Sequence, residues 1–145
     1  VVSGRADAVE RAMALARERG AKRALPLPVS AAFHSSLMAP VVDALGPMID
    51  ATAFQRANVP LVGNVDARPL REPNDLRREL RDQICAPVRW VEVVRALAAV
   101  GVMTYYEVGP GKVLAGLIPR CAPGATVVSA ESLLASSAPP SRSGT

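Results

Sequence analysis

Apolar residues recur along this chain in two alternating spacings, one helical and one extended. Helical spacing, with apolar residues three and four positions apart, begins near Asp7, Leu37, Asn74, Trp90 and Lys112. Extended, largely apolar segments occupy residues 1–3, 24–30, 59–65, 102–108 and 126–129. Because strands alternate with helices, the pattern predicts an α/β fold with a largely parallel sheet.

Individual residues predict where the helices begin and end. Asp7, with Glu10 three residues later, has the spacing of a capping box. Either Asn74 or Asp75 is expected to cap the third helix. Pro47 lies in the middle of the second helix, so we expect that helix to kink or end just before it. The apolar face of the first helix is predicted to consist of Val9, Ala12, Met13 and Ala16.

The extended segments and the C-terminus carry further predictions. Residues 59–65 are apolar almost throughout, as in a parallel strand that is buried on both faces. Pro26 and Pro28 lack backbone donors and lie two positions apart, so residues 24–30 are expected to form an edge strand. Residues 135–145 are rich in Ser, Pro and Gly, which predicts a disordered tail.

The composition fits a single domain with a core of aliphatic residues. The chain has 145 residues, of which 50% are hydrophobic and 3% aromatic. No apolar run approaches the roughly 20 residues of a membrane helix, and charged residues interrupt the region where a signal peptide would lie. Cys85 and Cys121 lack metal or redox spacing, which favours reduced thiols and a cytoplasmic location. Because the first residue is Val1 rather than Met, we expect the chain to be part of a longer protein.

The net charge of +4 comes almost wholly from arginine. A solvated surface is the simplest interpretation of this charge, and a surface that attracts an acidic partner is the functional alternative. Nucleic acid is not favoured as the partner, because the arginines are spread along the chain and aromatic residues do not interleave with them.

His34 is the only histidine and lies between an extended segment and a helix. A packed ring, a metal ligand and a general base are the three interpretations. A metal ligand is disfavoured because the sequence has no second His and no Cys pair at zinc spacing. A base needs a nucleophile within hydrogen-bond reach. Adjacent side chains at a helix start point in different directions, so Ser35 is a poor partner for His34. Ser36 is expected to cap the helix, and the sequence has no Gly-x-Ser-x-Gly elbow.

Two further motifs have a structural and a chemical interpretation. The segment GPGK, which ends at Lys112, follows a predicted strand and opens a helix, as a phosphate-binding turn does. It lacks the full GxxxxGK[ST] pattern, so a tight turn between strand and helix is favoured. Cys85 lies at a helix C-terminus, where the helix dipole disfavours a thiolate. We therefore expect Cys85 to be a core residue rather than a nucleophile.

Four sequence blocks resemble one enzyme family. They are PVSAAFHSSLMAP at residues 28–40, PLVGNVD at residues 60–66, QICAPVRW at residues 83–90 and EVGPGKVLAGL at residues 107–117. Their order and spacing are similar to those of the malonyl-CoA:acyl carrier protein transacylases. The resemblance runs from residue 1 to about residue 120 and covers the C-terminal part of the family's chain.

The resemblance implies that a serine takes malonyl from coenzyme A and passes it to the phosphopantetheine thiol of acyl carrier protein. By the resemblance, His34 is the base for that serine, and the backbone carbonyl of Gln83 orients the ring in place of a triad carboxylate. We expect a His34 ring nitrogen about 2.6–3.2 Å from that oxygen. The family's nucleophilic serine, malonyl-binding arginine and oxyanion-hole glutamine would precede Val1, so the chain alone is expected to be inactive.

The resemblance also implies the architecture and one selectivity residue. Residues 30–134 would form the C-terminal part of an α/β-hydrolase-like domain, and residues 1–29 the end of an inserted ferredoxin-like subdomain. Phe33 matches a position where an aromatic residue accompanies malonyl rather than methylmalonyl use in related acyltransferases, and a core residue is the alternative. Asn64 ends a predicted strand, where parallel sheets present site residues, but it has no assigned role.

Three functions remain open from the sequence. The first is part of a free-standing transacylase of fatty-acid biosynthesis, monomeric when complete, with no cofactor besides its substrates malonyl-CoA and phosphopantetheinylated acyl carrier protein. The second is part of an acyltransferase domain of a polyketide synthase, which the short Ser/Pro-rich segment after Leu134 disfavours. The third is a non-catalytic module that binds acyl carrier protein.

Overall fold

A computed structural model describes residues 1–130 of the chain. Contacts divide the chain into two compact units, Val1–Arg89 and Trp90–Thr145, and each is described by itself. The tail predicted at residues 135–145, and the argument from the segment after Leu134, lie outside the described residues. The division at residue 30 into parts of two subdomains stays a prediction.

The first unit is built from helices and one short sheet. Its elements are α1 (Ala6–Glu18), a 3-10 helix (Ser36–Met38), α2 (Ala39–Ala51), β1 (Leu61–Val62), β2 (Pro69–Leu70) and α3 (Pro73–Asp82). Met38, Ile49 and Leu70 are its buried apolar side chains. The helix α2 packs against α3, so the first unit has a small aliphatic core around these two helices.

The first helix confirms the predicted apolar face but not the capping box. Its four predicted face residues are half-buried, while every other residue of α1 is exposed. The helix begins after Arg5, without a side-chain cap. The Asp7 carboxylate pairs instead with the guanidinium groups of Arg11 and Arg5 at 3.0 and 3.1 Å. The Arg11 and Arg5 contacts hold the pKa of Asp7 below its ordinary value.

The extended segments of the first unit differ most from the predictions. The buried parallel strand expected at residues 59–65 is wrong, because only β1 forms there and it pairs antiparallel with β2. A turn causes the reversal: Ala67 has a φ of 51°, and the Gly63 N–H donates to the Arg68 carbonyl at 3.0 Å. The prediction of an edge strand at residues 24–30 is also wrong, because no strand forms there. The backbone hydrogen bond within this segment is local and runs from the Val29 N–H to the Leu27 carbonyl.

Two helix boundaries also differ from their predictions. The helix α2 continues through Pro47 to Ala51 and so does not end before the proline, while the predicted alternative, a kink there, stays a prediction. Beside the proline, α2 packs against α3, and the Arg81 guanidinium donates to the Gly46 carbonyl at 3.3 Å. The helix α3 begins at Pro73, with Glu72 in the cap position. A proline at the first helical position loses no intrahelical bond, so the predicted cap at residue 74 or 75 is wrong.

The second unit confirms the alternation of helices and strands. Its described elements are α4 (Trp90–Ala99), β3 (Thr104–Glu107), α5 (Val113–Cys121) and β4 (Thr126–Ser129). The strands β3 and β4 are parallel, with Thr104 opposite Thr126. Their helices bury a core around Val94, Ile118 and Ala122. The α/β class is therefore confirmed, although the expected parallel pairing is found only here among residues 1–130.

No helix within residues 1–130 combines the length and the apolar character that a membrane-spanning helix needs.

Candidate active site

His34 lies in a strained turn at the start of the 3-10 helix. Its φ is 59°, a left-handed conformation that few residues other than glycine adopt. The hydroxyl of Ser35 holds the turn, because it donates to the Ala32 carbonyl at 2.7 Å and accepts the Leu37 N–H at 3.3 Å. The cap residue is therefore Ser35 rather than the predicted Ser36. Backbone strain of this kind concentrates at functional sites.

The ring of His34 is fixed by two main-chain carbonyls. Its Nδ1 lies 3.1 Å from the Gln83 oxygen and 3.0 Å from the Ala86 oxygen. The distance to Gln83 lies within the expected range. A carbonyl oxygen only accepts hydrogen bonds, so Nδ1 carries the proton and donates it to both oxygens. The other ring nitrogen, Nε2, then has a free lone pair and makes no hydrogen bond within the described part of the chain.

The second acceptor, the Ala86 carbonyl, was not predicted. The helix α3 ends at Asp82, and Gln83 follows in the cap position. The last turn of a helix leaves carbonyls without intrahelical partners, and the turn after α3 directs the Ala86 oxygen to the same side as the Gln83 oxygen. The helix end was the available signal, because carbonyls near a helix C-terminus lack intrahelical partners and accept hydrogen bonds from elsewhere.

Phe33 and the two hydroxyls beside His34 have distinct surroundings. The side chain of Phe33 is 46% exposed, so it is not a core residue of the described structure. The Ser35 hydroxyl is engaged by its cap contacts, and Ser36 is exposed. Within residues 1–130, the structure does not bring a serine hydroxyl into hydrogen-bond contact with His34.

The GPGK segment forms a turn that is closed by a carboxylate. Gly109 and Gly111 have φ values of 138° and 91°, which glycine adopts without strain. The backbone N–H groups of Leu114 and Ala115, at the start of α5, donate to the two carboxylate oxygens of Glu107 at 2.9 and 3.0 Å. Two of the donors at the N-terminus of α5 are therefore occupied by a carboxylate, which supports the tight turn over the phosphate-binding interpretation.

The cysteines and the metal-ligating residues add no second site. Cys85 and Cys121 are half-buried free thiols. Among residues 1–130, no three His, Cys, Asp or Glu side chains are grouped so that they could hold a metal ion.

Solved malonyltransferases share the fold of this chain. An acyl carrier protein S-malonyltransferase from Vibrio cholerae superposes with a TM-score of 0.84 at 42% identity, over 92% of this chain and 44% of that one. A malonyl-transacylase solved in complex with its type II PKS acyl-carrier protein gives a TM-score of 0.82 at 38% identity, over 87% of this chain and 41% of that one. The chain therefore shares the α/β fold of part of these acyl-carrier-protein malonyltransferases.

Sequence comparison identifies the family. The malonyl CoA-acyl carrier protein transacylase of Bacillus subtilis is 47% identical over 83% of this chain and 38% of that protein. Polyketide biosynthesis protein ThaF of Burkholderia thailandensis is 35% identical over 99% of this chain and 13% of that protein. None of the protein-family models compared with the chain matches it. The chain belongs to the malonyl-CoA:acyl carrier protein transacylase family, and it spans less than half the length of the curated relatives it matches.

Proposed function

We propose that this chain is the C-terminal part of a malonyl-CoA:acyl carrier protein transacylase and that His34 is its general base. One observation carries the proposal: the contacts of Nδ1 with the carbonyls of Gln83 and Ala86, 3.1 and 3.0 Å long, leave Nε2 as a proton acceptor. The family of the chain supports the reaction, and the relative solved with an acyl-carrier protein supports the partner.

In the proposed reaction, the nucleophilic serine comes from the part of the enzyme that precedes the matched region. The serine oxygen attacks the thioester carbon of malonyl-CoA while Nε2 of His34 accepts the serine proton. Coenzyme A then leaves as a thiol, taking that proton from the ring. In the second half, the phosphopantetheine thiol of acyl carrier protein gives its proton to Nε2 and attacks the malonyl ester, and the released serine oxygen recovers a proton from the ring.

The two carbonyls act on His34 in both halves of this reaction. They hold the Nδ1–H tautomer, which a base at Nε2 requires. When the ring becomes positively charged, the partial negative charges of the two oxygens stabilise it. The C-terminus of α3, which provides the Gln83 carbonyl, adds the negative end of the helix dipole. Two neutral acceptors stabilise the charged ring less than the buried carboxylate of a Ser-His-Asp triad does.

Exposed apolar side chains support the assignment to a larger enzyme. Met48 and Val59 in the first unit are 68% and 76% exposed, and Val108 and Val113 in the second are 85% and 73% exposed. Where such side chains form contiguous patches, they mark contacts with other parts of a protein or with partners. We assign these side chains to contacts with the remainder of the transacylase. In that enzyme, residues 1–29 would end a ferredoxin-like subdomain and residues 30–134 would belong to an α/β-hydrolase-like domain.

Phe33 is the proposed selectivity residue of the site. It directly precedes His34, and its ring is about half exposed. A phenyl ring at this position would fill the space that the methyl branch of methylmalonyl requires, while malonyl leaves that space free. The proposed substrate is therefore malonyl-CoA rather than its branched analogue.

Fatty-acid biosynthesis in the cytoplasm is the proposed setting, with a monomeric complete enzyme and no cofactor beyond the two substrates. A polyketide pathway is the alternative setting. Two of the similar proteins favour it, namely ThaF and the malonyl-transacylase that was solved with a type II PKS acyl-carrier protein.

The test joins the N-terminal part of the Bacillus subtilis relative to Val1 as a single chain. Radiolabelled malonyl-CoA and acyl carrier protein are added, and labelled carrier protein is measured. We expect transfer by the fusion and none by the 145-residue chain alone. His34→Gln should abolish transfer, since losing one member of a Ser-His unit costs on the order of 10⁶ in kcat in a comparable enzyme.

Ser36→Ala is the control variant of the fusion, because Ser36 is exposed and has no proposed role. It should retain full activity. Transfer by the chain alone, or by the His34→Gln fusion, would contradict the proposal. An inactive fusion that still binds acyl carrier protein would identify the non-catalytic module instead.

A further inference from the structure

Asn64 hydrogen-bonds to the segment that follows the acceptors of His34. Its Nδ2 donates to the Pro87 carbonyl at 2.9 Å, and its Oδ1 accepts the Arg89 backbone N–H at 2.8 Å. The Ala86 carbonyl that accepts from His34 belongs to the peptide bond that joins Ala86 to Pro87. Because that peptide bond is planar and the proline ring fixes the φ of Pro87, an anchor on the Pro87 carbonyl restricts the direction of the Ala86 carbonyl.

Glu79 holds the backbone that carries Asn64. Its Oε1 accepts the N–H of Asn64 and, at 3.2 Å, the N–H of Val65. The neighbouring Gly63 makes this approach possible, since a Cβ there would lie 2.7 Å from Glu79 Oε2 and 2.8 Å from Leu70 Cδ1. Glu79 lies on α3, the helix whose C-terminal end leads to the two carbonyl acceptors. One carboxylate therefore ties the loop that contains Asn64 to that helix.

We propose that Asn64 is a positioning residue that selects the Nδ1–H tautomer of His34 by holding the Ala86 carbonyl, and that Glu79 holds Asn64 in turn. The proposal rests on the proposed role of His34 as base, because only this tautomer leaves Nε2 free to accept a proton. Without Asn64, residues 86–89 lose both of its hydrogen bonds. The Ala86 oxygen is then less well fixed, and the alternative tautomer, with the proton on Nε2, becomes more populated.

The single histidine of the chain makes this proposal measurable. The 145-residue chain is prepared with ¹⁵N-labelled histidine, and the ring nitrogen shifts give the ratio of the two neutral tautomers of His34. We expect the Nδ1–H tautomer to dominate in the unmodified chain. Asn64→Ala should increase the population of the other tautomer by about three- to tenfold, the factor that corresponds to one neutral hydrogen bond.

Two further variants sharpen the measurement. Asn58→Ala is the matched control, because Asn58 is exposed and its side chain has no hydrogen bond within residues 1–130, so the tautomer ratio should not change. Asn64→Asp keeps an acceptor for the Arg89 N–H but loses the donor to Pro87, and it should shift the ratio in the same direction as Asn64→Ala. An unchanged ratio in a folded Asn64 variant would overturn the proposal. Unfolding of both Asn64 variants would also overturn it, because Asn64 would then maintain the fold rather than the ring.

A kinetic measurement on the fusion separates this proposal from the proposed function. Asn64→Ala should lower kcat by about three- to tenfold and leave the KM for malonyl-CoA unchanged, because Asn64 acts on the base and not on the substrate. If the unmodified fusion is inactive, the proposed function fails while the tautomer measurement still decides the link from Asn64 to His34. If the fusion is active and the tautomer ratio does not respond to Asn64, only the positioning role fails.

Discussion

Glu107→Gln is expected to destabilise the second unit. Glu107 is 7% exposed, and its two oxygens accept the N–H groups of Leu114 and Ala115 at 2.9 and 3.0 Å. Gln keeps one acceptor oxygen and turns an amide donor toward the other N–H, which loses its partner. Loss of a charge-assisted hydrogen bond costs about 1.5–3 kcal/mol. Removing the negative charge from the helix N-terminus adds about 0.3–1 kcal/mol, so the free energy of unfolding should fall by about 2–4 kcal/mol.

Trp90 fluorescence in urea measures this loss. Trp90 is the single tryptophan and packs against the core of the second unit. With an m-value of about 2 kcal/mol/M, the urea midpoint should fall by about 1–2 M. Glu92→Gln is the control, since Glu92 also lies in the first turn of a helix but is exposed, and only the dipole contribution is lost there. Equal shifts in the two variants, or no shift for Glu107→Gln, would refute the capping argument.

Two further predictions concern Phe33 and Gly63. In the fusion, Phe33→Ser should raise kcat/KM for methylmalonyl-CoA relative to malonyl-CoA, by a factor that corresponds to about 1–3 kcal/mol, and an unchanged ratio would exclude Phe33 as the selectivity residue. Gly63→Ala should destabilise the chain by about 1–3 kcal/mol in thermal unfolding, because the added Cβ overlaps the Glu79 carboxylate and Leu70. Gly4→Ala, where an added Cβ meets nothing within 4 Å, should be close to neutral, and equal losses in the two glycine variants would contradict the steric argument.

The strands show where sequence patterns succeed and where they fail. The bounds predicted for β4 are those observed, because Gly124, with a φ of 85°, marks a turn directly before a short apolar run. The prediction for residues 59–65 failed although the apolar run is just as clear. There the chain reverses through the turn at residues 64–66 and Ala67, inside and directly after the predicted strand, and an apolar run does not show which strand will pair with it.

The site was predicted only as far as the resemblance reached. The residues alone left His34 as a base or a packed ring, because 49 residues separate it from Gln83 and no sequence periodicity connects them. The resemblance supplied that pair, and the structure placed the two groups in contact. The resemblance did not indicate the contact of His34 with Ala86 or the hydrogen bond of Asn64 to Pro87. Both form at the turn after α3. A turn between two elements is the part of a fold that local patterns determine least.

Because the acceptors of His34 are main-chain oxygens, the path of the backbone determines how the ring is oriented. A triad carboxylate is a side chain, so one residue type at one position can orient a histidine. Here the acceptors are the oxygens of Gln83 and Ala86, which every residue type possesses. What the sequence must specify is therefore where residues 83–86 lie. This segment begins at the C-terminal end of α3. Directly after it, Asn64 hydrogen-bonds to the backbone of Pro87 and Arg89. If His34 is the base, as proposed, the side chains that orient it include ones that never touch it.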